Sequence, residues 1–154
     1  MEKYDCLKLS NQLCFPIYLC SKELIRRYTP FLEKLDLTYT QYIVMMFFWE
    51  KKESNVKELG NTLLLDSSTL TPLLKKLENK GYITRERSNE DERNLIIKLT
   101  NKGEKLKDKA ISIPKEIGKC VNLTEEEAAT LYTLIHKVLT NIEMEWKYAS
   151  NWSK

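Results

Sequence analysis

The chain has 154 residues, of which 31% are charged, and it contains only four Gly and four Pro. This length suits one domain with its own core, and so few Gly and Pro residues favour a mainly α-helical domain. The longest apolar stretch, residues 43–49, is too short to span a bilayer or to act as a signal sequence. We therefore expect a cytoplasmic protein without a membrane partner.

The net charge of +3 hides an uneven distribution. Residues 75–107 carry ten Lys and Arg against six Asp and Glu, whereas residues 121–145 carry one against five. A local basic segment is expected of a protein that meets a phosphate backbone, although a solvated helix face can have the same composition. The charge pattern thus favours a nucleic-acid partner without requiring one.

The four cysteines have spacings that disfavour a metal site and a structural disulfide framework. They contain no C-x-x-C pair, and their spacing matches no zinc-finger pattern. Cytoplasmic thiols are also kept reduced. Since no cofactor motif appears either, we expect neither a metal nor a cofactor. The cysteines are Cys6, Cys14, Cys20 and Cys120.

Cys14 is the cysteine best placed for redox chemistry, because it lies near the start of the first predicted helix. A helix N-terminus or a neighbouring hydrogen-bond donor stabilises a thiolate, and the thiolate is the form that attacks a peroxide. If its oxidation is coupled to the surrounding helices, Cys14 acts as a switch.

The first helix is predicted from an apolar repeat that begins after Ser10, which can serve as the N-cap. We expect the helix to reach Tyr28 and to end before Pro30, because the residue that precedes a proline avoids helical geometry. Pro16 should kink or delay the helix. The apolar repeat consists of Leu13, Ile17, Cys20, Leu24 and Tyr28.

The next two helices are predicted from their caps. Thr38 and Gln41 form a capping box for an apolar helix through Trp49, and Asn55 with Glu58 opens a short third helix. The fourth helix follows closely, which is the spacing of a helix-turn-helix unit.

The fourth helix should begin at Asp66 or Ser67 and end at Gly81, a usual C-terminal stop. Pro72 is expected in its first turn, where a missing N–H is tolerated.

A two-stranded ribbon is predicted after this helix. Residues 82–87 alternate, residues 95–99 form a returning strand, and a polar, charged turn joins them. Thr100 then starts a fifth helix that bends at Pro114. The fold class is therefore mainly α with a small β-hairpin wing.

A sixth helix is predicted from a capping box formed by Thr124 and Glu127. Its apolar side chains repeat at close to heptad spacing, which favours a dimer built from the two ends of the chain. We expect a single domain over residues 1–154, with a winged helix-turn-helix at about 38–100 and dimerisation helices at about 8–36 and 101–148. The apolar repeat consists of Leu131, Leu134, Ile135, Val138, Ile142 and Trp146.

In winged helix-turn-helix proteins the second helix of the pair enters the major groove and the wing lies beside it. Hydroxyl side chains at the start of helix four suit phosphates or base edges, and wing arginines can reach the minor groove. The alternative is that the hydroxyls only cap a helix and the arginines are solvated. The predicted DNA-binding residues are Ser67, Ser68, Thr69, Thr71, Lys75, Lys76, Arg85, Arg87, Asp91 and Arg93.

Nearly the whole chain resembles MarR-type regulators and, within them, the organic-hydroperoxide-sensing repressors of the OhrR type. The Asp-Glu-Arg run at residues 91–93 marks the broad family, and the Gln-Leu-Cys-Phe run at residues 12–15 marks the peroxide-sensing branch. The other matching stretches are YTPFL at 28–32, LTYTQY at 37–42 and LDSSTLTPLLKKLE at 65–78.

The resemblance implies a homodimeric repressor that binds double-stranded DNA, and the two-fold symmetry of a dimer predicts a near-palindromic operator. It implies that organic hydroperoxide oxidises Cys14 and that the repressor then leaves the DNA. Tyr28 and Tyr39 of the partner subunit would hold the thiol, with Tyr18 as an accessory member. Apolar neighbours such as Phe15 would favour an organic peroxide.

Cys120 is the candidate resolving thiol, because two-cysteine members of this branch carry one at a similar C-terminal place. Cys20 and Cys6 are weaker candidates. A one-cysteine sensor that uses a small-molecule thiol is the alternative.

Three other functions stay open at this point. A MarR-type regulator can respond to a small aromatic ligand in the dimer crevice, with Cys14 a passenger. A thiol peroxidase using Cys14 and Cys120 is disfavoured, because no thioredoxin-like alternation of strands and helices and no other catalytic motif appears. A purely structural helical dimer is the third. We expect no enzyme activity.

Overall fold

The computed structural model describes residues 3–87 and 95–151, with side chains described up to residue 142. Two short 3-10 turns come first, followed within the described residues by seven α-helices and three β-strands. The helices are α1 (Cys14–Glu33), α2 (Tyr39–Lys51), α3 (Val56–Leu63), α4 (Ser67–Asn79), α5 (Asn101–Ala110), α6 (Ile113–Val121) and α7 (Glu125–Asn151). The strands are β1 (Glu53–Asn55), β2 (Ile83–Arg87) and β3 (Leu95–Leu99).

Helix α1 begins and ends later than predicted. Ser10 lies in a 3-10 turn and does not cap the helix, whose N-cap residue is Leu13 without a side-chain hydrogen bond. Pro16 lies in the first turn, where its missing N–H costs nothing, so the helix is delayed as expected. The predicted end before Pro30 is wrong, because the helix continues through Pro30 and buries Leu32 against the core.

The predicted caps of α2 and α3 are confirmed. The Thr38 hydroxyl accepts a hydrogen bond from the Gln41 amide at 3.3 Å, and the Gln41 side chain accepts one from the Thr38 amide at 3.1 Å. The Asn55 side chain accepts from the Glu58 amide at 2.8 Å. Helix α2 is buried along most of its length and forms the centre of the core.

Helix α4 starts at the predicted cap, since the Asp66 carboxylate accepts from the Thr69 amide at 2.7 Å. The predicted place of Pro72 in the first turn is wrong, because Pro72 is the sixth residue of the helix. It lies on the exposed side, where water can hydrate the Ser68 carbonyl that a proline cannot bond. Gly81, with a φ of 74°, turns the chain after the helix toward β2.

The predicted ribbon is present, but it is part of a three-stranded antiparallel sheet in the order β1-β3-β2. The register pairs Arg85 with Ile97 on one side of β3 and Ser54 with Ile97 on the other. Strand β1 was not predicted, because three polar residues show no alternation. Its pairing buries Ser54, so Ile97 lies in the centre of the sheet.

The predicted bend at Pro114 is instead a break between two helices. Helix α5 starts at its predicted cap, where the Thr100 hydroxyl accepts from the Gly103 amide at 3.0 Å, and it ends at Ala110. Pro114 is the second residue of the separate helix α6. The Thr124–Glu127 capping box is confirmed as the start of α7.

The chain divides into two compact units, Met1–Ile117 and Gly118–Lys154. The first unit holds the core, in which α2 packs with α1, α3, α5 and strands β1 and β3, while α4 packs with α3 and β2. The second holds the end of α6 and the long helix α7. None of the helices in the described residues has the length and apolar composition that a bilayer crossing needs. The most deeply buried core side chains are Phe48, Leu32, Met45, Leu59, Leu70, Leu74, Leu77, Ile83, Ile97 and Val44.

Candidate nucleic-acid interface and thiol site

The exposed face of α4 carries the side chains predicted to read DNA. Leucines on the opposite face enter the core, and this amphipathic pattern fixes which face meets solvent. Ser67, Ser68, Thr69, Thr71, Lys75 and Lys76 are all exposed. The structure thus brings the predicted residues of α4 together on one accessible surface.

Two hydroxyls of this face also serve the helix itself. The Ser68 hydroxyl donates to the Asp66 carboxylate at 2.6 Å, and the Thr71 hydroxyl donates to the Ser67 carbonyl at 2.7 Å. The hydrogen bond from Ser68, together with those from Thr69, holds the pKa of the Asp66 carboxyl below its usual value. Ser68 and Thr71 can still accept a bond from DNA through their oxygens.

The turn between α3 and α4 is tight and places the two helices close together. A Cβ atom on Gly60 of α3 would lie 2.8 Å from the Leu65 carbonyl oxygen, so the turn packs too closely against α3 to admit a side chain at Gly60. Leu64 ends α3 in the left-handed region with a φ of 52°. The short connection sets α4 at a fixed angle to α3 for entry into a groove.

Sequence reasoning missed two polar residues beside this surface. Lys57 and Asn61 lie exposed on α3, and together with Ser67 they line a cavity of about 560 Å³ that Leu95 borders. Their spacing of four residues at the start of a helix-turn-helix unit is the signal that was available. They extend the polar surface from α4 onto α3.

Arg85 differs from the other predicted contacts. Its Nε and one terminal nitrogen both donate to the Glu78 carboxylate, at 2.8 Å and 2.5 Å. This hydrogen bond from Arg85 is the main reason that the pKa of the Glu78 carboxyl lies below its usual value. Arg85 therefore joins β2 to α4.

The remaining predicted DNA contacts are Arg87, Asp91 and Arg93. Arg87 is exposed at the end of β2. Asp91 and Arg93, predicted as an oriented arginine pair, lie outside the described residues.

The root of the wing is held by a set of bonds to α5. The Trp49 indole N–H donates to the Gly103 carbonyl at 2.8 Å, and the Thr100 hydroxyl donates to the Gly81 carbonyl at 2.7 Å. A Cβ atom on Gly103 would lie 2.2 Å from the Tyr82 carbonyl oxygen, which only a glycine avoids. The strand that enters the wing and the helix that leaves it are thereby packed together.

The thiol region begins at the N-terminus of α1. Cys14 is the first residue of this helix and is exposed. Tyr18, also exposed, follows one turn later and so lies on the same side. Tyr28 lies fourteen residues further along the same helix, which corresponds to about 21 Å. One copy of the chain therefore does not bring Cys14 and Tyr28 together.

The predicted pocket tyrosines do meet one another. The rings of Tyr28 and Tyr39 lie edge-on with 4.9 Å between centroids, and Tyr42 lies 5.9 Å from Tyr28. Burial raises the pKa of Tyr28 above its usual value, and Tyr39 adds to the rise; burial likewise raises the pKa of Tyr42. Both hydroxyls thus remain donors at neutral pH. Tyr42 was missed, although its spacing from Tyr39 is helical.

The other cysteines lie on different elements. Cys6 is in the first 3-10 turn, Cys20 is in α1, and Cys120 is near the end of α6 in the second unit. All four cysteines are free and exposed. Among the described residues, no group of three or more His, Cys, Asp or Glu side chains gathers at a metal-binding distance.

Large apolar side chains are exposed on two helices. Helix α1 and helix α7 each carry a series of them at helical spacing, a pattern that monomeric surfaces seldom show. Met46 is exposed as well, whereas Met45 is buried in the core. The exposed aliphatic side chains are Leu13 at the N-cap of α1, Ile17, Leu19 and Ile25 on α1, and Leu131, Leu134, Ile135, Val138, Leu139 and Ile142 on α7.

Comparison with known proteins decides the family. Residues 26–110 match the family described as transcriptional regulator SarA/Rot. The organic hydroperoxide resistance transcriptional regulator of Bacillus subtilis (strain 168) is 45% identical over 142 residues, which cover 92% of this chain and 95% of that protein. The chain is a MarR-family winged-helix transcriptional regulator.

Solved structures of the family agree with the fold. Reduced AbfR bound to DNA has a TM-score of 0.75 and 33% identity, covering 92% of this chain and 99% of that one. AbfR, from Staphylococcus epidermidis, has also been solved in a disulfide-formed state. Reduced MarR from E. coli has a TM-score of 0.67 and 29% identity, over 83% of this chain and 96% of that one.

These findings confirm two expectations about the MarR-family chain. The winged helix-turn-helix fold is confirmed by the DNA-bound neighbours. The expectation of a regulator rather than an enzyme is confirmed, because the curated relatives are named as transcriptional regulators.

Proposed function

We propose that the MarR-family chain is a homodimeric repressor that releases a near-palindromic operator when organic hydroperoxide oxidises Cys14. The observation that carries the proposal is the position of this cysteine. Cys14 is exposed as the first residue of α1, one turn from Tyr18, in a chain 45% identical to an organic hydroperoxide resistance regulator.

The helix position suits the chemistry of the thiol. The N-terminal end of a helix carries partial positive charge and unsatisfied N–H groups, which stabilise an anionic sulfur. The thiolate attacks the outer oxygen of ROOH, the O–O bond breaks, and ROH leaves after taking a proton. The products are a sulfenic acid at Cys14 and an alcohol.

The partner subunit completes the thiol pocket in this proposal. Tyr28 lies about 21 Å along α1 from Cys14 of the same copy, and Tyr39 packs against Tyr28. Helices α1 and α7 expose apolar faces on which a second copy can pack. Phenol O–H groups from the partner would then donate to the sulfur. This arrangement makes the thiol a part of the dimer interface.

A second thiol traps the oxidised state. It attacks the sulfenic acid, forms a disulfide and releases water. Cys120 is the proposed resolving cysteine, with a small-molecule thiol as the alternative, and the disulfide-formed state solved for AbfR supports this type of product. Joining α1 to the segment before α7 would move the helices that set the spacing of the two wings.

The DNA contacts come from α4 and the wing. Ser67, Ser68, Thr69 and Thr71 would meet base edges and phosphates, and Lys75 and Lys76 would meet phosphates, because these side chains share one exposed face. Arg87 and Arg93 would reach the adjacent minor groove, with Asp91 orienting Arg93. Two copies related by a two-fold axis would read two half-sites.

Operator binding before and after oxidation tests the proposal. The reduced protein is titrated against a family-type palindromic duplex, treated with stoichiometric cumene hydroperoxide and titrated again at the same salt concentration. We expect the wild type to lose binding, and Cys14→Ser to bind as tightly as the reduced wild type and to stay bound. Cys20→Ser, which removes an exposed thiol from the same helix, is the control and should respond like the wild type.

Two results would contradict the proposal. One is release by Cys14→Ser after peroxide. The other is binding that persists once mass spectrometry shows that Cys14 is oxidised. Cys120→Ser separates the two trapping routes, because a cross-linked dimer on a non-reducing gel requires Cys120 only if it is the resolving thiol.

A further inference from the structure

Glu78 and Arg85 form the polar link between α4 and the wing. Arg85 donates through two nitrogens to one oxygen of Glu78, and the side chains are only 22% and 31% exposed. An arginine fork engaged in this way has limited freedom to turn toward a phosphate. The contact therefore has a local role that the sequence pattern did not indicate.

On α4, Glu78 continues the stripe of predicted DNA-reading residues. Ser67, Thr71, Lys75 and Glu78 follow one another at spacings of four, four and three, so they lie along one side of the helix. Holding the end of this stripe fixes the rotation of α4 about its own axis. A change in that rotation would redirect the side chains at the start of the helix.

On β2, Arg85 lies between an anchored residue and an exposed one. Alternate residues of a strand share a face, so Ile83, Arg85 and Arg87 point to the same side. Ile83 is buried with 1% exposure, Arg85 contacts Glu78, and Arg87 is exposed. Arg85 thus ties the strand to α4 immediately before the part of the wing predicted to meet DNA.

We propose that Glu78 and Arg85 are a positioning pair, which sets the angle between α4 and the wing for DNA binding and replaces the predicted role of Arg85 as a DNA contact. The inference rests on the DNA-binding function proposed above. The guanidinium holds the pKa of the Glu78 carboxyl below its usual range, so the pair is ionised at neutral pH. Because its net charge is zero, the pair adds geometry rather than attraction for phosphate.

A positioning role and simple electrostatics lead to opposite expectations for the DNA affinity of a Glu78→Gln protein. Glu78→Gln removes one negative charge from the DNA-facing surface, which by itself strengthens binding to a polyanion. A misdirected wing instead loses a groove contact, so we expect Glu78→Gln to bind the palindromic duplex about tenfold more weakly. Binding is measured by fluorescence anisotropy at a fixed salt concentration.

The same strand offers a matched control. Glu86 pairs with Lys98 at 2.8 Å, on the opposite face of β2 from Arg85. Both side chains of this pair are more exposed than those of Glu78 and Arg85. Like Glu78→Gln, Glu86→Gln breaks one ion pair and removes one negative charge. We expect it to bind DNA as tightly as the wild type or more tightly.

A charge swap separates positioning from contact. Arg85→Glu alone should weaken binding by about tenfold or more. In Glu78→Arg with Arg85→Glu the pair is restored in reverse, and we expect affinity to recover to within about threefold of the wild type. If Arg85 contacted DNA directly, the swap would leave a carboxylate at that contact and binding would stay weak.

The outcomes distinguish this proposal from the one on which it rests. Each variant is first checked for the wild-type circular dichroism spectrum and urea midpoint. A wild type that binds no duplex overturns both proposals. A wild type that binds, together with a Glu78→Gln protein that binds like Glu86→Gln or a charge swap that fails to rescue, overturns only the positioning pair.

Discussion

The proposed DNA-reading region, on α4 and the wing, and the proposed thiol region, around Cys14 and the pocket tyrosines, differ in how much of each is built within one chain. In the reading region, Asp66 caps α4 and Arg85 joins β2 to Glu78 of α4. The Trp49 indole N–H donates a hydrogen bond to the Gly103 carbonyl near the start of α5. In the thiol region, Cys14 is exposed and Tyr28 lies about 21 Å away along the same helix.

This difference indicates where a signal has to act. A surface that is held by bonds within its own chain keeps its shape when another part of the protein changes. A thiol site that needs a second copy reports on the relation between two copies. Under the proposed mechanism, oxidation of Cys14 should alter the spacing of two intact reading units rather than unfold either unit.

The largest effect on operator affinity is expected from a substitution that prevents two copies of the chain from forming a dimer. Ile135→Glu places a charge in the exposed apolar series of α7, so we expect a monomer in sedimentation experiments. Because a dimer gains from binding two linked half-sites, operator affinity should fall by about a hundredfold.

The control for this change is Thr140→Glu, which puts the same charge on another side of the exposed helix. It should remain dimeric and bind DNA normally. A dimeric Ile135→Glu protein with normal affinity would show that the thiol region is completed in another way.

A second substitution tests whether the reading region depends on packing within the chain. Gly103→Ala brings a Cβ atom to 2.2 Å from the Tyr82 carbonyl oxygen, and backbone has to move to admit it. We expect a loss of about 3 kcal/mol in the free energy of unfolding, measured by urea denaturation.

Gly118→Ala is the matched control, because a Cβ atom there meets nothing within 4 Å. Gly118 lies inside α6, where alanine is the better helix former, so stability should be unchanged or rise by about 0.5 to 1 kcal/mol. Equal effects of the two substitutions would contradict the tight packing at the wing root.

A third substitution sharpens the assignment of the wing. Arg93→Ala should weaken operator binding by about 1 to 3 kcal/mol and reduce the salt dependence by about one phosphate contact, since Arg93 is proposed to reach the groove. Lys109→Ala, which removes an exposed charge from α5, is the control. Unchanged affinity of Arg93→Ala at matched salt would remove Arg93 from the interface.

The smallest expected effect is the loss of folding stability at acid pH. The pKa values of Asp66 and Glu78 are lowered by hydrogen bonds in the folded protein, so their contribution to stability is complete above the unfolded pKa, at about 4, and is lost as the pH falls through the folded values. We expect the urea concentration at the unfolding midpoint to decrease as the pH is lowered below about 4.

Asp66→Asn keeps a capping oxygen but cannot titrate, so its midpoint should fall less steeply than that of the wild type. Asp108→Asn, on the exposed side of α5, is the control. A wild-type pH dependence in the Asp66→Asn protein would show that this cap does not contribute to it.

Local signals predicted most of the elements correctly. The caps at Thr38, Asn55, Asp66, Thr100 and Thr124 all hold in the structure, because a side chain that bonds an N–H three residues later acts within a single turn. The same local rules failed at Pro30 and Pro72, where packing of the neighbouring leucines keeps the helix intact.

The features that the sequence did not predict depend on contacts between residues on different elements of the chain. Strand β1 exists only through pairing with β3, whose residues come more than forty positions later. The partner of Arg85 is on α4, seven positions earlier but across a turn, and alternation within β2 could not identify it. Tyr42 joins the tyrosine pair only because α1 packs against α2.

The sequence by itself determined the helical class, the caps of α2, α3, α4, α5 and α7, the winged helix-turn-helix order and the residues that mark the MarR family, because these depend on neighbours in the chain. Only the tertiary structure decided that Arg85 is held by Glu78, that the start of α5 closes the wing root, and that Tyr28 of α1 meets Tyr39 and Tyr42 of α2. Those features depend on how helices pack across long separations, which local side-chain patterns do not encode.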